Sequence, residues 1–430
     1  MQNLLLTQHK QVILHSAEAL LDEATTFLQG LLRIPTINPP GQAYPECAVY
    51  IGEHLRTLGY AVEYIELTPA EVAELAPYGE GLPRMNVLGR LDGSQERPVL
   101  HFNGHMDVVP VGPGWSTNPF GGEIRNGRIF GRGASDMKGG IAAQIYAVEA
   151  IRRVGLRLQG TVEQSGVVDE ESTGNRNAGM GYLVERGYVS SERTNYVVIT
   201  EPLNVDNICL GHRGAIWGEI TTLGRQSHGS TPEQGINAIE HMASFIKEVT
   251  YELKPCLRQR LNSQPVVPPS ASAASISFNM VQGGTNTNSV PDSCTVAFDR
   301  RLVIGEELDD VRRELQAILD RLASTIPGFR YSYKERYATL PTWVSANTPL
   351  VHTFTSAIQE VIGRTPGYVS SPGTDDQRFV VHNAGIEQCI VYGPGEITQA
   401  HIVDESLALD DLLTAIKVMA LATATLLGVE

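Results

Sequence analysis

Short apolar or β-branched runs alternate with longer helical patterns through the first half of the chain, and that alternation limits the fold more than any other feature. "RPVLHFNGH" (97–105), "GTVEQSGVV" (160–168) and "NYVVITEP" (195–202) read as strands, with the helical "GGIAAQIYAVEAIRRVG" (139–155) between the first two. Strands separated by helices build an α/β sheet flanked by helices. In such sheets functional groups collect beyond the carboxyl ends of the strands. Each of these strands ends in, or runs straight into, histidine or acid: His105 and Asp107, then Asp169, Glu170 and Glu171, then Glu201.

After about residue 213 the rhythm changes. A strand-like "AIWGEITTLG", a helix near 235–253, a Pro-rich "QPVVPPS", strand-like runs in "ASISFNMV" and "SCTVAFDRRLV", a helix near 306–325 and "FRYSYKERY" follow in turn. This β-α-β-β-α-β order is the split pattern of ferredoxin-like domains. It predicts an inserted α+β domain at 213–330, with 1–212 and 331–430 forming the other domain.

A length of 430 residues and a hydrophobic content of 42% suit two domains with a sizeable core. The formal charge of -15 repels phosphate backbones and anionic lipid, which argues against a nucleic-acid or membrane partner. "MQNLLLTQHKQVILHSAEALLDEA" interrupts its apolar residues at helical spacing and predicts a packed surface helix rather than a leader. "LLTAIKVMALATATLLGVE" carries Lys417 after Asp410 and Asp411, and reads as a buried C-terminal helix rather than a membrane span. Five scattered cysteines, odd in number and without paired spacing, read as buried thiols of a cytoplasmic protein.

The acids and histidines carry the chemistry. Acidic triplets in loops are ordinarily solvated surface, so "VVDEESTG" (167–174) needs its context. His105 and Asp107, two apart in an extended chain, project to one side. That spacing suits a metal-binding imidazole and a carboxylate that accepts its other N–H, although a satisfied turn histidine would look the same. The glycines of "GRIFGRGASDMKGG" (127–140) lack the phosphate-loop and dinucleotide patterns. Small neighbours around Asp136 would let one carboxylate approach two metals; a helix N-cap at Ser135 or Asp136 is the competing reading. Glu170 and Glu171 diverge, so one can hold a cation while the other takes a proton from a water that the cation activates. Packed carboxylates repel, and a dication is the simplest compensation. With Glu201 and a late His401, two histidines and three carboxylates make a set suited to two zinc-like ions. No G-x-S-x-G elbow supports a serine nucleophile.

The succession "GHMDVVP", "GRGASDMKGG", "DEES", "TEP", "SHGSTPEQGINAI" and His401 resembles the acetylornithine deacetylase, succinyl-diaminopimelate desuccinylase, aminoacylase and glutamate carboxypeptidase family of metallohydrolases. The resemblance covers nearly the whole chain and implies a zinc-peptidase-like mixed sheet carrying an inserted dimerisation domain. It implies His105, Asp136 and Glu201 as ligands of one divalent metal and Asp136, Glu171 and His401 as those of a second, with zinc as the metal and cobalt as a substitute. Glu170 matches the general base and Asp107 the orienter of His105. His228 matches a histidine that enters the partner subunit's site in a homodimer and stabilises the oxyanion. Asn288 and Arg301 match residues that hold substrate, with Arg301 chosen over Arg300 on its spacing from Asn288. "SPGTDDQRF" resembles the family's substrate loop through Gly373 and Thr374, with Asp375 where relatives often carry serine. Glu201, where peptidases cutting di- and tripeptides tend to carry Asp, favours a deacylase that removes an acetyl, succinyl or formyl type of group from an amino-acid-like substrate. A carboxypeptidase or dipeptidase with the same site is the alternative within enzymes, and a non-catalytic relative retaining the fold is the alternative outside them.

Overall fold

The computed structural model describes residues 2–171 and 176–430, with side chains described from residue 9. Ser172, Thr173 and Gly174, the tail of the acidic stretch, lie outside the described residues. The chain divides into two compact units, one of 1–211, 344–369 and 375–430, the other of 212–343 and 370–374.

In the first unit the sheet runs in the order Ala61–Glu66, Met85–Leu91, Thr161–Val167, Val99–His105, Tyr196–Pro202, Cys389–Gly393, Asn207–His212. Its four middle strands, Thr161–Val167 to Cys389–Gly393, are parallel, and its flanking pairs are antiparallel. Val99–His105 and Thr161–Val167 are buried at every position, which is why they carry no polar alternation. The polar residues within them answer one another: His101 lies 2.9 Å from Ser165 Oγ and 3.3 Å from the Glu163 carboxylate. Helix Gly139–Arg153 is buried from Gly139 to Ile151 and packs on helix Leu409–Leu427, the expected C-terminal helix. Among the described residues no helix is long and apolar enough to cross a membrane. The N-terminal helix Gln2–Ala19 buries Ile13 and Ala17. Four cysteines are buried as expected, and Cys256 is exposed.

The second unit holds an antiparallel sheet in the order Ser275–Gly283, Ser293–Leu302, Gly214–Leu223, Arg330–Thr339. Helices Ala238–Glu248 and Leu308–Thr325 cover one face around Ile216, Ile220, Phe245, Val296, Phe298, Leu315 and Leu319. Alternation is clean here: in Ser293–Leu302 every even-numbered residue is buried. The unit runs past the boundary expected at 330. Arg330–Thr339 pairs with Gly214–Leu223 from Arg330 opposite Leu223 to Thr339 opposite Ala215, so it belongs to this sheet and the unit extends to Trp343. The segment 370–374 groups with it as well.

Candidate metal centre

Parallel strands bring the expected ligands of the first unit to one edge. His105 closes Val99–His105, Glu201 lies at the end of Tyr196–Pro202, and Glu170 and Glu171 follow Thr161–Val167. Asp136 sits before helix Gly139–Arg153 in a segment where its φ of -117° and ψ of 95° are not helical. It does not cap the helix: Lys138 occupies that place, without a side-chain cap.

The Asp136 carboxylate faces two ways. Its Oδ1 is 3.0 Å from His105 Nε2, and its Oδ2 is 3.4 Å from His401 Nε2. Glu201 Oε1 lies 3.2 Å from the same His105 nitrogen, and Glu171 Oε2 2.9 Å from the same His401 nitrogen. Two groups of metal-ligating atoms result, His105–Asp136–Glu201 and Asp136–Glu171–His401, the atoms of each within 4.8 Å of one another. The first group is buried throughout; in the second the His401 side chain is 53% exposed. Imidazole nitrogen with carboxylate oxygen is a donor set that suits zinc and similar divalent ions. Glu170 belongs to neither group; its carboxylate lies 3.6 Å from the Arg378 guanidinium. The two adjacent glutamates therefore diverge.

Without a cation the groups are frustrated electrically. Burial and the charge of Asp136 push the Glu201 carboxyl far above its usual range, and burial with the charge of Glu201 does the same to Glu170 despite His105 and Arg378. Burial lifts Glu171 to about 7, against the pull of His401. Hydrogen bonds to Asp136 and Glu171 hold His401 up to about 11. Burial opposes a protonated His105, yet Glu201, Asp136 and Asp107 outweigh it and raise the imidazole well above its usual value. Burial likewise opposes ionisation of Asp136, but its two histidines keep its carboxyl well below the ordinary range. Three glutamates and two histidines lifted around an ionised Asp136 describe protons standing where a metal ion fits.

Asp107 departs from the role read for its side chain. His105 Nδ1 lies 2.9 Å from the Asp107 backbone carbonyl and 3.7 Å from its carboxylate. The carboxylate instead receives the backbone N–H groups of Glu170 at 3.2 Å and Glu171 at 3.0 Å, and the Asn38 amide at 2.8 Å. It positions the acidic turn. Asp169 completes that turn as a buried anchor: with φ of 60°, it pairs with the buried Arg84 at 2.9 Å and accepts the Tyr44 hydroxyl at 2.9 Å. Arg84 and Tyr44 were not among the expected site residues, and nothing in their local sequence pattern marks them.

The remaining expected residues lie in the second unit. His228 is exposed, opposite Ser289 in a two-residue pairing, and the Asn288 carbonyl accepts the Gly229 N–H at 2.7 Å. Arg301 is on the open face of the sheet, 2.8 Å from Asp299 and with its guanidinium 5.5 Å from the Trp217 ring centroid. Arg300 points into the helix-covered face and pairs with Glu306 at 2.5 Å. The Gly373 N–H donates to Ser371 Oγ at 3.2 Å, with Thr374 beside it. In the first unit, burial pushes Asp375 up to about 6, and its Oδ2 has no hydrogen-bond partner among the described residues.

A sheet edge at which one carboxylate serves two histidine–acid groups is an arrangement suited to a metal-dependent hydrolase. The model of peptidase family M20/M25/M40 matches residues 101–425, and the chain belongs to this family. It is 31% identical over 351 residues to a succinyl-diaminopimelate desuccinylase of Aromatoleum aromaticum, covering 79% of this chain and 85% of that one. To the succinyl-diaminopimelate desuccinylase of Dechloromonas aromatica it is 29% identical over 373 residues, covering 85% and 89%. Among solved structures it resembles the M20 family metallo-carboxypeptidase Sso-CP2 of Sulfolobus solfataricus, with a TM-score of 0.74, 21% identity and coverage of 93% and 98%. Human carnosine dipeptidase 1 gives a TM-score of 0.75 at 17% identity, with coverage of 97% and 98%. At such identities these structures speak for the fold.

Proposed function

We propose that the chain is a two-metal deacylase that releases a carboxylate, succinate first among the candidates, from the nitrogen of an amino-acid-like substrate. The observation that carries this reading is the Asp136 carboxylate turned to both His105 and His401, with Glu170 beside the two groups and outside them. The similarity to desuccinylases supports ranking succinyl ahead of acetyl and formyl.

Two divalent ions, zinc by its fit to the donor set, would be held by His105, Asp136 and Glu201 and by Asp136, Glu171 and His401; bound there, they supply Lewis acidity and lower the pKa of water. Glu170 is the proton carrier: its carboxylate takes a proton from the attacking water and returns it to the nitrogen of the leaving amine. Asp107 holds the backbone of Glu170 and Glu171, so the base and its neighbouring ligand keep a constant separation. Asn288, Arg301, Gly373 and Thr374 bind substrate in this reading, Arg301 through a free carboxylate. We further propose a homodimer in which His228 reaches the partner's site and supports the oxyanion. Its support is the edge strand Ser275–Gly283, which leaves Met280 and Val281 exposed at 73% and 68%. A cytoplasmic location accords with the reduced thiols read from the sequence.

The test is to remove metal with a chelator, return zinc or cobalt, and compare hydrolysis of N-succinyl, N-acetyl and N-formyl amino acids with that of dipeptides. Metal-restored cleavage of the acyl amino acids is expected. A clear preference for dipeptides would replace the deacylase reading with the peptidase one, and metal-independent cleavage would remove both.

A further inference from the structure

One buried carboxylate outside both groups joins the segment that bears Asp136 to the loop that bears His401. Glu405, four residues after His401, is fully buried, whereas the His401 side chain is 53% exposed. Glu405 Oε1 accepts three backbone N–H groups, from Gly133 at 3.0 Å, Ser135 at 2.9 Å and Asp136 itself at 3.1 Å. Its Oε2 accepts Arg132 Nη1 at 2.7 Å, and its backbone carbonyl accepts the Gly131 N–H at 3.0 Å. The next residues, Ser406–Ala408, pair with Arg128–Phe130, and Asp404 Oδ1 accepts the Ser116 N–H at 2.8 Å.

We propose that Glu405 is a positioning residue that fastens the segment bearing Asp136 to the loop bearing His401, and so sets the affinity for metal at the carboxylate the two groups share. Asp136 lies in non-helical backbone, so no helix supplies a partner for the N–H groups of this turn; the Glu405 carboxylate does. His401 and Asp404 are both left-handed, with φ of 62° and 57°, and the loop that carries them reaches the core again at Glu405. The Glu405 side chain thereby ties the backbone of the buried ligand itself to the loop of the surface one, beside the backbone pairing of the flanking residues. Ligands held in place before the ion arrives bind it more tightly, and loss of such outer partners typically weakens affinity 10–100-fold, on the order seen at other metal sites.

This inference rests on the two-metal reading, and its test separates the two. Metal-free wild type, Glu405→Gln, Arg132→Met and a control, Glu163→Gln, are titrated with cobalt and followed by calorimetry and visible absorption, with melting measured in chelator. Gln keeps the size of Glu405 and one acceptor oxygen, and Arg132→Met gives a second route to the same pair. Glu163 is a buried acid of the same unit, paired with Arg90 at 2.7 Å and outside both metal groups. Wild type should take up about two ions, Glu405→Gln should bind at least one of them about 10–100-fold more weakly, and Arg132→Met should shift in the same direction. Glu163→Gln should lose thermal stability but keep wild-type affinities. Wild-type affinities in Glu405→Gln, or an equal weakening in Glu163→Gln, would overturn the role of Glu405 while leaving the two-metal site intact. A wild type that binds no cobalt would overturn the site itself.

Discussion

Glu170 and Glu171 are chemically alike and adjacent, and one backbone turn gives them different neighbours. Glu171 stands 2.9 Å from His401 within a ligand group, while Glu170 faces Arg378. Replacing Glu170 with Gln should lower turnover about 10²–10⁴-fold, the usual weight of a positioned acid–base group, and leave metal content unchanged. Metal analysis beside the kinetics checks this, and a loss of metal would make Glu170 a ligand instead. Protons and metal compete at the same atoms. Glu171 is raised from 4.5 to about 7 and His401 from 6.5 to about 11, so between those limits the folded metal-free protein holds protons that the unfolded chain releases. Stability contributed by these groups is present at the acid end of each window and is lost as pH rises through it. Melting of chelated protein should therefore fall from about pH 6 to pH 9, the slope should flatten in His401→Asn, and zinc should restore more at the alkaline end. A slope unchanged by His401→Asn would refute the account.

At the scale of elements, close approach places Asp136 beside Glu201. Helix Gly139–Arg153 begins three residues after Asp136, and a Cβ on Gly140 would stand 2.1 Å from the Thr200 carbonyl oxygen, next to Glu201. Gly140→Ala should destabilise the protein by about 1–3 kcal/mol through overpacking and weaken metal binding with it. Chemical denaturation and metal titration of the variant measure the two effects, and wild-type stability would show that the helix can move. The glycine pair in "SDMKGG" was visible in the sequence, but its reason was not, because Thr200 is 60 residues away along the chain. Asp107 shows the same boundary: its spacing from His105 marked it, yet which of its oxygens does what depends on where the acidic turn lies.

For the whole molecule, the prediction concerns two chains. His228 is exposed in the second unit, and the proposal sends it into a partner's site. Glu170→Gln and His228→Ala variants, each nearly inactive alone, should recover about a quarter of wild-type activity when unfolded and refolded together in equal amounts, since half the dimers are then mixed and each mixed dimer has one intact site. A mixture that stays inactive, or a His228→Ala variant that is fully active, would remove the exchange.

Sequence alone determined the order of strands and helices and the split pattern of the insertion, because hydrophobic patterning is a local property, and it marked five candidate ligands and Glu170 through short motifs in a fixed order. It did not determine where the insertion ends, because Arg330–Thr339 takes its place by hydrogen bonds to Gly214–Leu223, more than a hundred residues earlier. Nor did it determine Arg84, Arg378 and Glu405. Buried charges need partners wherever the fold supplies them, and Arg84 with Asp169, like Arg132 with Glu405, meets its partner only once the sheet has closed around both.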